Sequence, residues 1–129
     1  MVDNTIIEGW LQKADEDFQY AKASLDNNLP FYSSICFHLN QAAEKYLKAY
    51  IVAKELEFQK IHDLTKLLQI CIANDLEFKK LTAFINEINP FYIETRYPGF
   101  TTDFITKSET EGALKMVDEI CSFVKTKLS

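Results

Sequence analysis

The chain has 129 residues and a net charge of −5, from 14 Lys and Arg against 19 Asp and Glu. Its size predicts one domain over residues 1–129, and its acidic balance excludes a protein that binds nucleic acid through a uniformly basic surface. The sequence has no signal-peptide pattern and no apolar run of about 18 residues, so we expect a cytoplasmic protein that does not associate with membranes.

Helical periodicity begins close to the N-terminus. The apolar residues of the first predicted helix repeat at intervals of four and three: Ile7, Leu11, Ala14, Phe18, Ala21 and Leu25. This helix should end in the turn DNNLP at 26–30, since Asn tolerates left-handed backbone geometry and Pro30 cannot continue a helix. We interpret the acidic run Asp15–Asp17 as solvated surface, because consecutive helical residues point in different directions.

The second helix is predicted from Phe31 to Glu55. One face is apolar and consists of Ile35, Cys36, Leu39, Ala42, Ala43, Tyr46, Leu47, Tyr50 and Ala53. The opposite face is polar and consists of His38, Asn40, Gln41, Glu44, Lys45 and Lys48. Phe37 lies in the middle of this polar face, where an apolar ring is unexpected.

Three further helices complete the prediction. The third begins near His62–Asp63, with His62 orienting its start, and the fourth repeats apolar residues from Phe78 to Tyr92. The last opens with the capping-box pattern at Ser108–Glu111. No alternating pattern of useful length predicts a strand, so we expect an all-α protein, an antiparallel up-and-down bundle of four or five helices.

Several kinds of functional site lack their sequence signals. Three scattered glycines cannot form a phosphate-binding loop, and two histidines without paired cysteines give no zinc spacing. No Glu-x-x-His pair supports a di-iron site, and no Ser or Cys has a motif typical of a nucleophile. We therefore predict no cofactor, no metal and no catalytic residue. The three cysteines should be reduced core residues.

Three motifs in chain order resemble the HEPN family of prokaryotic helical domains. They are FHLNQAAEKYLKAY at residues 37–50, IHDL at 61–64 and TRYPG at 95–99, and Ala14, Asp17 and Ala21 of the first helix also fit. The resemblance covers roughly residues 8–126. It implies a bundle of about five helices that forms a homodimer.

The resemblance also implies several functions. Small HEPN proteins are often encoded beside a minimal nucleotidyltransferase, and the two can act as a toxin–antitoxin pair. Other members are ribonucleases, and the family name records a nucleotide-binding role. The expected partners are therefore a second copy of the chain in a homodimer, a small nucleotidyltransferase, and a nucleotide or RNA.

One departure from the family pattern argues against ribonuclease activity. Ribonuclease members carry R-x(4–6)-H, whereas Arg96 is the only arginine here and no histidine follows it; Asp103 lies where one would fall. We therefore expect a non-catalytic binding module of the HEPN type. The alternative is a metal-independent ribonuclease with a non-standard site around His38, Lys45 and Arg96.

The polar face of the second helix has three interpretations that the sequence leaves open. It is ordinary solvated surface, or a dimer interface in which Phe37 is buried, or a nucleotide or phosphate site. In the last case Lys and Arg attract phosphate, and His and Gln pair with base edges. The candidate residues for such a site are His38, Gln41, Lys45, Lys48, Arg96 and Tyr97.

Overall fold

A computed structural model describes residues 2–57, 60–94 and 105–129, with the side chains of residues 93 and 94 left out. Six α-helices and one 3₁₀ helix are present in these ranges, and no strand occurs in them. The helices are α1 (Asn4–Asp26), α2 (Tyr32–Ala53), α3 (Leu64–Asn74), the 3₁₀ helix (Leu76–Leu81), α4 (Thr82–Ile88), α5 (Phe91–Glu94) and α6 (Lys107–Leu128). The predicted all-α bundle is confirmed.

Helix α2 is the centre of the bundle and packs most extensively against α1 and α6. Its predicted apolar face is buried almost throughout, and the large rings of Tyr46 and Tyr50 lie in the core. Four residues of the predicted α1 seam, Ala14, Phe18, Ala21 and Leu25, are buried against it. No helix within the described ranges is both long enough and apolar enough to span a membrane.

The turn between α1 and α2 has the predicted backbone geometry. Asn28 has a φ of 55°, in the left-handed region that Asn tolerates. The backbone N–H of Leu29 donates to the carbonyl of Ser24 at 3.0 Å, which satisfies a carbonyl in the last turn of α1. The chain then reverses direction and places α2 antiparallel to α1.

The predicted fourth helix is wrong as a continuous element. The chain forms a 3₁₀ helix first, then the short α4, and it breaks before α5. Pro90 explains the break, because it has no N–H to donate to the preceding turn and its ring clashes with a continuing helix, although Asn89 itself keeps a helical backbone with φ −55° and ψ −44°. The predicted apolar residues Phe78, Leu81, Ile85 and Ile88 are nevertheless all buried.

The helix starts are partly as predicted. Asp63 precedes α3, and its carboxylate accepts from the N–H of Thr65 at 2.9 Å, as expected. The predicted capping box at Ser108 is wrong by two residues, since the cap is Thr106, whose hydroxyl accepts from the N–H of Glu109 at 3.1 Å. Thr106 also heads a T-x-x-E pattern, so the same rule applies two positions earlier.

Candidate functional site

His38 and Lys45 from the polar face of α2 converge on one carboxylate of α1. The Nδ1 atom of His38 lies 3.0 Å from Asp17, and the ammonium of Lys45 hydrogen-bonds the second oxygen of the same carboxylate. Because an ionised carboxylate only accepts hydrogen bonds, Nδ1 carries the proton in this pair. Asp17 is only 15% exposed. Its interpretation as solvated surface is therefore wrong.

A second cluster with the same composition lies further along α2. The ammonium of Lys48 lies 3.0 Å from Glu44, and Nδ1 of His62 lies 3.1 Å from the other oxygen of this carboxylate. The side chains of Glu44 and Lys48 are 4% and 7% exposed, whereas His62 is 51% exposed. Lys48 and Glu44 therefore belong to the interior, so for Lys48 the interpretation as ordinary solvated surface, one of the three left open, is wrong.

Five aromatic rings connect the two clusters. Tyr20 contacts His38 at a centroid distance of 4.2 Å, and Phe37 lies 6.0 Å from His38 and 6.2 Å from Tyr92. Tyr92 in turn stacks on His62 at 4.9 Å with an interplanar angle of 10°. We call these five residues the aromatic strip. It crosses α1, α2, α5 and the segment before α3, and every member is at least partly exposed.

A buried asparagine, Asn40, and a half-buried one, Asn89, hold these elements in place. The side-chain amide of Asn40 donates to the carbonyls of Ile88 and Asn89 at 3.0 and 3.3 Å, which fixes the end of α4 against α2. Asn89 accepts from the N–H of Leu64 at 2.8 Å and donates to Asp63 at 3.1 Å. These contacts set where α5 presents Tyr92 and where the segment before α3 presents His62.

The remaining residues of the predicted site are Gln41, Phe37, Arg96 and Tyr97, and the structure describes only the first two. Gln41 donates to Asn40 at 3.2 Å and so supports this buried asparagine. Phe37 is half-buried between His38 and Tyr92, so its ring is less exposed than its place among polar residues suggested. Arg96 and Tyr97 lie outside the described residues, and their predicted meeting with the face of α2 stays a prediction.

Sequence reasoning missed Asp17, Tyr20 and Tyr92 as parts of this surface, and it placed Glu44 on the polar face of α2 without counting it among the candidate site residues. A signal for Asp17 existed, because it lies three residues after Ala14 and four before Ala21, both in the buried seam. Those intervals place Asp17 at the edge of the α1–α2 contact. No sequence pattern pointed to Tyr20 or Tyr92, which contact the strip only through the tertiary fold.

The acidic residue two positions before Asp17 has partners on two other helices. The hydroxyl of Tyr46 donates to Asp15, and the ammonium of Lys125 lies 2.9 Å from it. Burial, followed by the bond to Asp15, raises the pKa of Tyr46. Within the described ranges, no three His, Cys, Asp or Glu side chains converge in a way that could hold a metal ion.

All three cysteines were predicted to be core residues, which is confirmed for two of them and wrong for Cys121. Cys36 and Cys71 are fully buried, while Cys121 is half-buried, and all three are free thiols. Burial raises the pKa of Cys36 to about 11 and that of Cys71 to about 12. Both thiols are therefore protonated and unreactive at neutral pH.

Comparison with known proteins assigns the family. The HEPN domain matches residues 7–127, which is nearly the whole chain. The chain belongs to the HEPN domain family. No curated protein matches the chain.

Two solved structures resemble this HEPN domain over almost their full length. The crystal structure of TT1696 from Thermus thermophilus has 30% sequence identity and a TM-score of 0.78, covering 94% of this chain and 97% of that one. The crystal structure of ST0689, an archaeal HEPN homologue, has 20% identity and a TM-score of 0.77, covering 95% and 98%. The second likeness concerns the fold alone.

Proposed function

We propose that this HEPN domain is a non-catalytic binding module of the cytoplasm and that the aromatic strip is its binding surface. The observation that carries the proposal is the continuity of the five rings from Tyr20 to His62. Aromatic side chains supply much of the binding energy at protein interfaces, since they bury a large area with few rotatable bonds. The partners that fit are a second copy of the chain and a small nucleotidyltransferase.

The charge distribution supports a protein partner. The chain has a net charge of −5, so two copies repel each other over most of their surfaces. Beside the strip, however, the carboxylates of Asp17 and Glu44 are each neutralised by a lysine. The strip is therefore a place where a second acidic molecule meets no excess negative charge.

The same pairing argues against a preformed phosphate site on α2. Lys45 and Lys48 were predicted to attract phosphate, but each has a carboxylate partner within the bundle. A phosphate would have to compete with Asp17 and Glu44 for these ammonium groups. Calorimetry with ATP, GTP and short RNA tests the nucleotide role, and salt-sensitive binding that Arg96→Lys weakens would support it.

Sedimentation at micromolar concentration tests the proposal. We expect a dimer, and Phe37→Asp should weaken it by placing a charge within a desolvated contact. Phe31→Asp is the matched control, because Phe31 is 63% exposed and makes no ring contact with the strip among the described residues. A monomer at these concentrations, or equal weakening by both variants, would contradict self-association through the strip.

Co-expression tests the second partner. The product of the neighbouring reading frame, where it is a small nucleotidyltransferase, should purify with the tagged HEPN domain. Phe37→Asp should reduce its recovery and Phe31→Asp should not. Recovery that is unaffected by Phe37→Asp would place the nucleotidyltransferase on another surface.

One observation favours a second candidate function, a metal-independent ribonuclease. Asp17 holds Nδ1 of His38, which leaves Nε2 as the atom that could accept a proton from a ribose hydroxyl. Cleavage of single-stranded RNA in a chelator, lost in His38→Ala, would support this function. Absence of cleavage by repurified protein would exclude it and leave the binding module.

A further inference from the structure

The chain contains two histidines, and both lie in the aromatic strip. His38 occupies a position between Tyr20 and Phe37, and His62 forms the far end against Tyr92. Histidine is the side chain whose charge ordinarily changes between about pH 5 and 8. Both histidines of the chain therefore lie on the surface that we propose for binding.

The two histidines have the same environment. Each binds a carboxylate through Nδ1, at 3.0 Å for His38 and 3.1 Å for His62, and each carboxylate also binds a lysine. With a neutral imidazole, each group of lysine, carboxylate and histidine has no net charge. Protonation gives each group a charge of about +1 and converts Nε2 from an acceptor into a donor.

Among the described residues, Asp17 and Glu44 are the acidic groups within ion-pair distance of the two histidines. Helix α1 presents Asp17 to His38, and α2 presents Lys45; α2 also presents Glu44 and Lys48 to the side of His62. Helix α5 presents the ring of Tyr92 to His62.

The acidic neighbour of His62 in sequence is also engaged. The carboxylate of Asp63 accepts from the N–H of Thr65 and from the side-chain amide of Asn89. Both histidines make their hydrogen bonds through Nδ1, and among the described residues neither Nε2 atom has a hydrogen-bond partner.

We infer that protonation of His38 and His62 dissociates the copies of the chain that meet through the aromatic strip. The inference rests on the proposed function. In a two-fold contact the same patch lies on both molecules, so four histidines, two from each chain, lie at one interface. When neutral they accept hydrogen bonds between stacked rings. When protonated they place four positive charges in a partly desolvated contact, where like charges repel strongly.

The test is sedimentation of the full chain across a range of pH. Between pH 8 and pH 5.5 the dissociation constant of the dimer should rise roughly a hundredfold or more. The slope of its logarithm against pH reports the protons taken up on dissociation, with an upper limit of four for two histidines in each of two chains. Circular dichroism at both pH values verifies that the fold is retained.

The double variant His38→Asn, His62→Asn assigns the effect. Asn keeps an N–H donor near the position of Nδ1 but cannot become charged, so the ratio of the two dissociation constants should fall to about one. Each single variant retains one histidine and should show about half of the wild-type slope. The single variants decide the matter if the double variant fails to fold or to associate.

The outcomes separate the two proposals. A monomer at pH 8 overturns self-association, and the present inference with it. A dimer of equal affinity at pH 8 and pH 5.5 overturns the present inference alone. A pH dependence that survives in both single variants without a reduced slope shows that other groups control dissociation, and also overturns it.

Discussion

The carboxylate of Asp17 in α1 and the Nδ1 atom of His38 in α2 lie 3.0 Å apart, with Lys45 on the second carboxylate oxygen. This pair places a residue from an acidic run within the contact between two helices, where it is 15% exposed. It also sets the orientation of the imidazole within the aromatic strip. The ionic groups of this surface therefore contribute to the packing of the bundle.

Replacement of Asp17 should destabilise the protein. Asp17→Ala removes hydrogen bonds to two partly buried groups and should lower the free energy of unfolding by about 1 to 3 kcal/mol, measured by urea denaturation. Glu16→Ala is the control, because Glu16 is 57% exposed and pairs with Lys13 at 3.5 Å. Its effect should be below about 0.5 kcal/mol. Equal losses in Asp17→Ala and Glu16→Ala would show that the contacts of Asp17 do not contribute to the free energy of unfolding.

Substitution within the buried pair of Glu44 and Lys48 should lower the stability of the protein more than substitution of Asp17. Glu44→Ala removes a carboxylate that is 4% exposed and binds both Lys48 and His62, and we expect a loss of about 3 to 5 kcal/mol in the free energy of unfolding. The double variant Glu44→Leu, Lys48→Met removes both charges and should recover at least half of this loss. A double variant no more stable than the single one would show that the buried charge is not the cause.

The cysteines should differ in reactivity. Because the pKa of Cys36 is raised to about 11 and that of Cys71 to about 12, their thiols remain protonated at pH 8 and lie in the core. Iodoacetamide should label Cys121 first, and mass spectrometry of peptides should find the other two labelled only in denaturant. Rapid labelling of Cys36 in the native protein would refute its burial.

The start of α6 offers a test of capping. Thr106→Ala removes the hydroxyl that accepts from the N–H of Glu109 and should cost about 1 kcal/mol. Ser108→Ala should have little effect, since Ser108 lies inside the helix and is exposed. Thermal denaturation of the two variants decides between the cap in the structure and the one that the sequence pattern suggested.

The acid side of the stability profile should depend on Lys127. Its hydrogen bonds lower the pKa of Asp75 below 3.8 and that of Glu77 below 4.5. A carboxyl whose pKa is lower in the folded state stabilises the protein above its unfolded pKa, and this contribution is lost as pH falls through the folded pKa. Lys127→Met should therefore be less stable at pH 7 and lose less stability between about pH 5 and 2. If the wild-type protein and Lys127→Met lost the same amount of stability over this pH range, the role of Lys127 would be contradicted.

Much of the fold follows from the sequence, because helical periodicity is a local property. The intervals between apolar residues determined which faces of α1 and α2 are buried, and Pro30 and Asn28 determined where the chain turns. The sequence likewise identified the polar face of α2 with His38 and Lys45. It could not predict the division of the fourth helix or the cap at Thr106, where several local rules compete within a few residues.

The composition of the candidate site depends on the tertiary structure. Periodicity specifies the direction of a side chain around its own helix but not the register between helices, and the register decides which residues meet. The antiparallel packing of α1 on α2 brings Asp17 to His38, and the packing of α5 on α2, with the Asn40 contacts at the end of α4, brings Tyr92 beside Phe37. The sequence determined the helices and their faces, and the packing of the whole bundle determined the pairs across them.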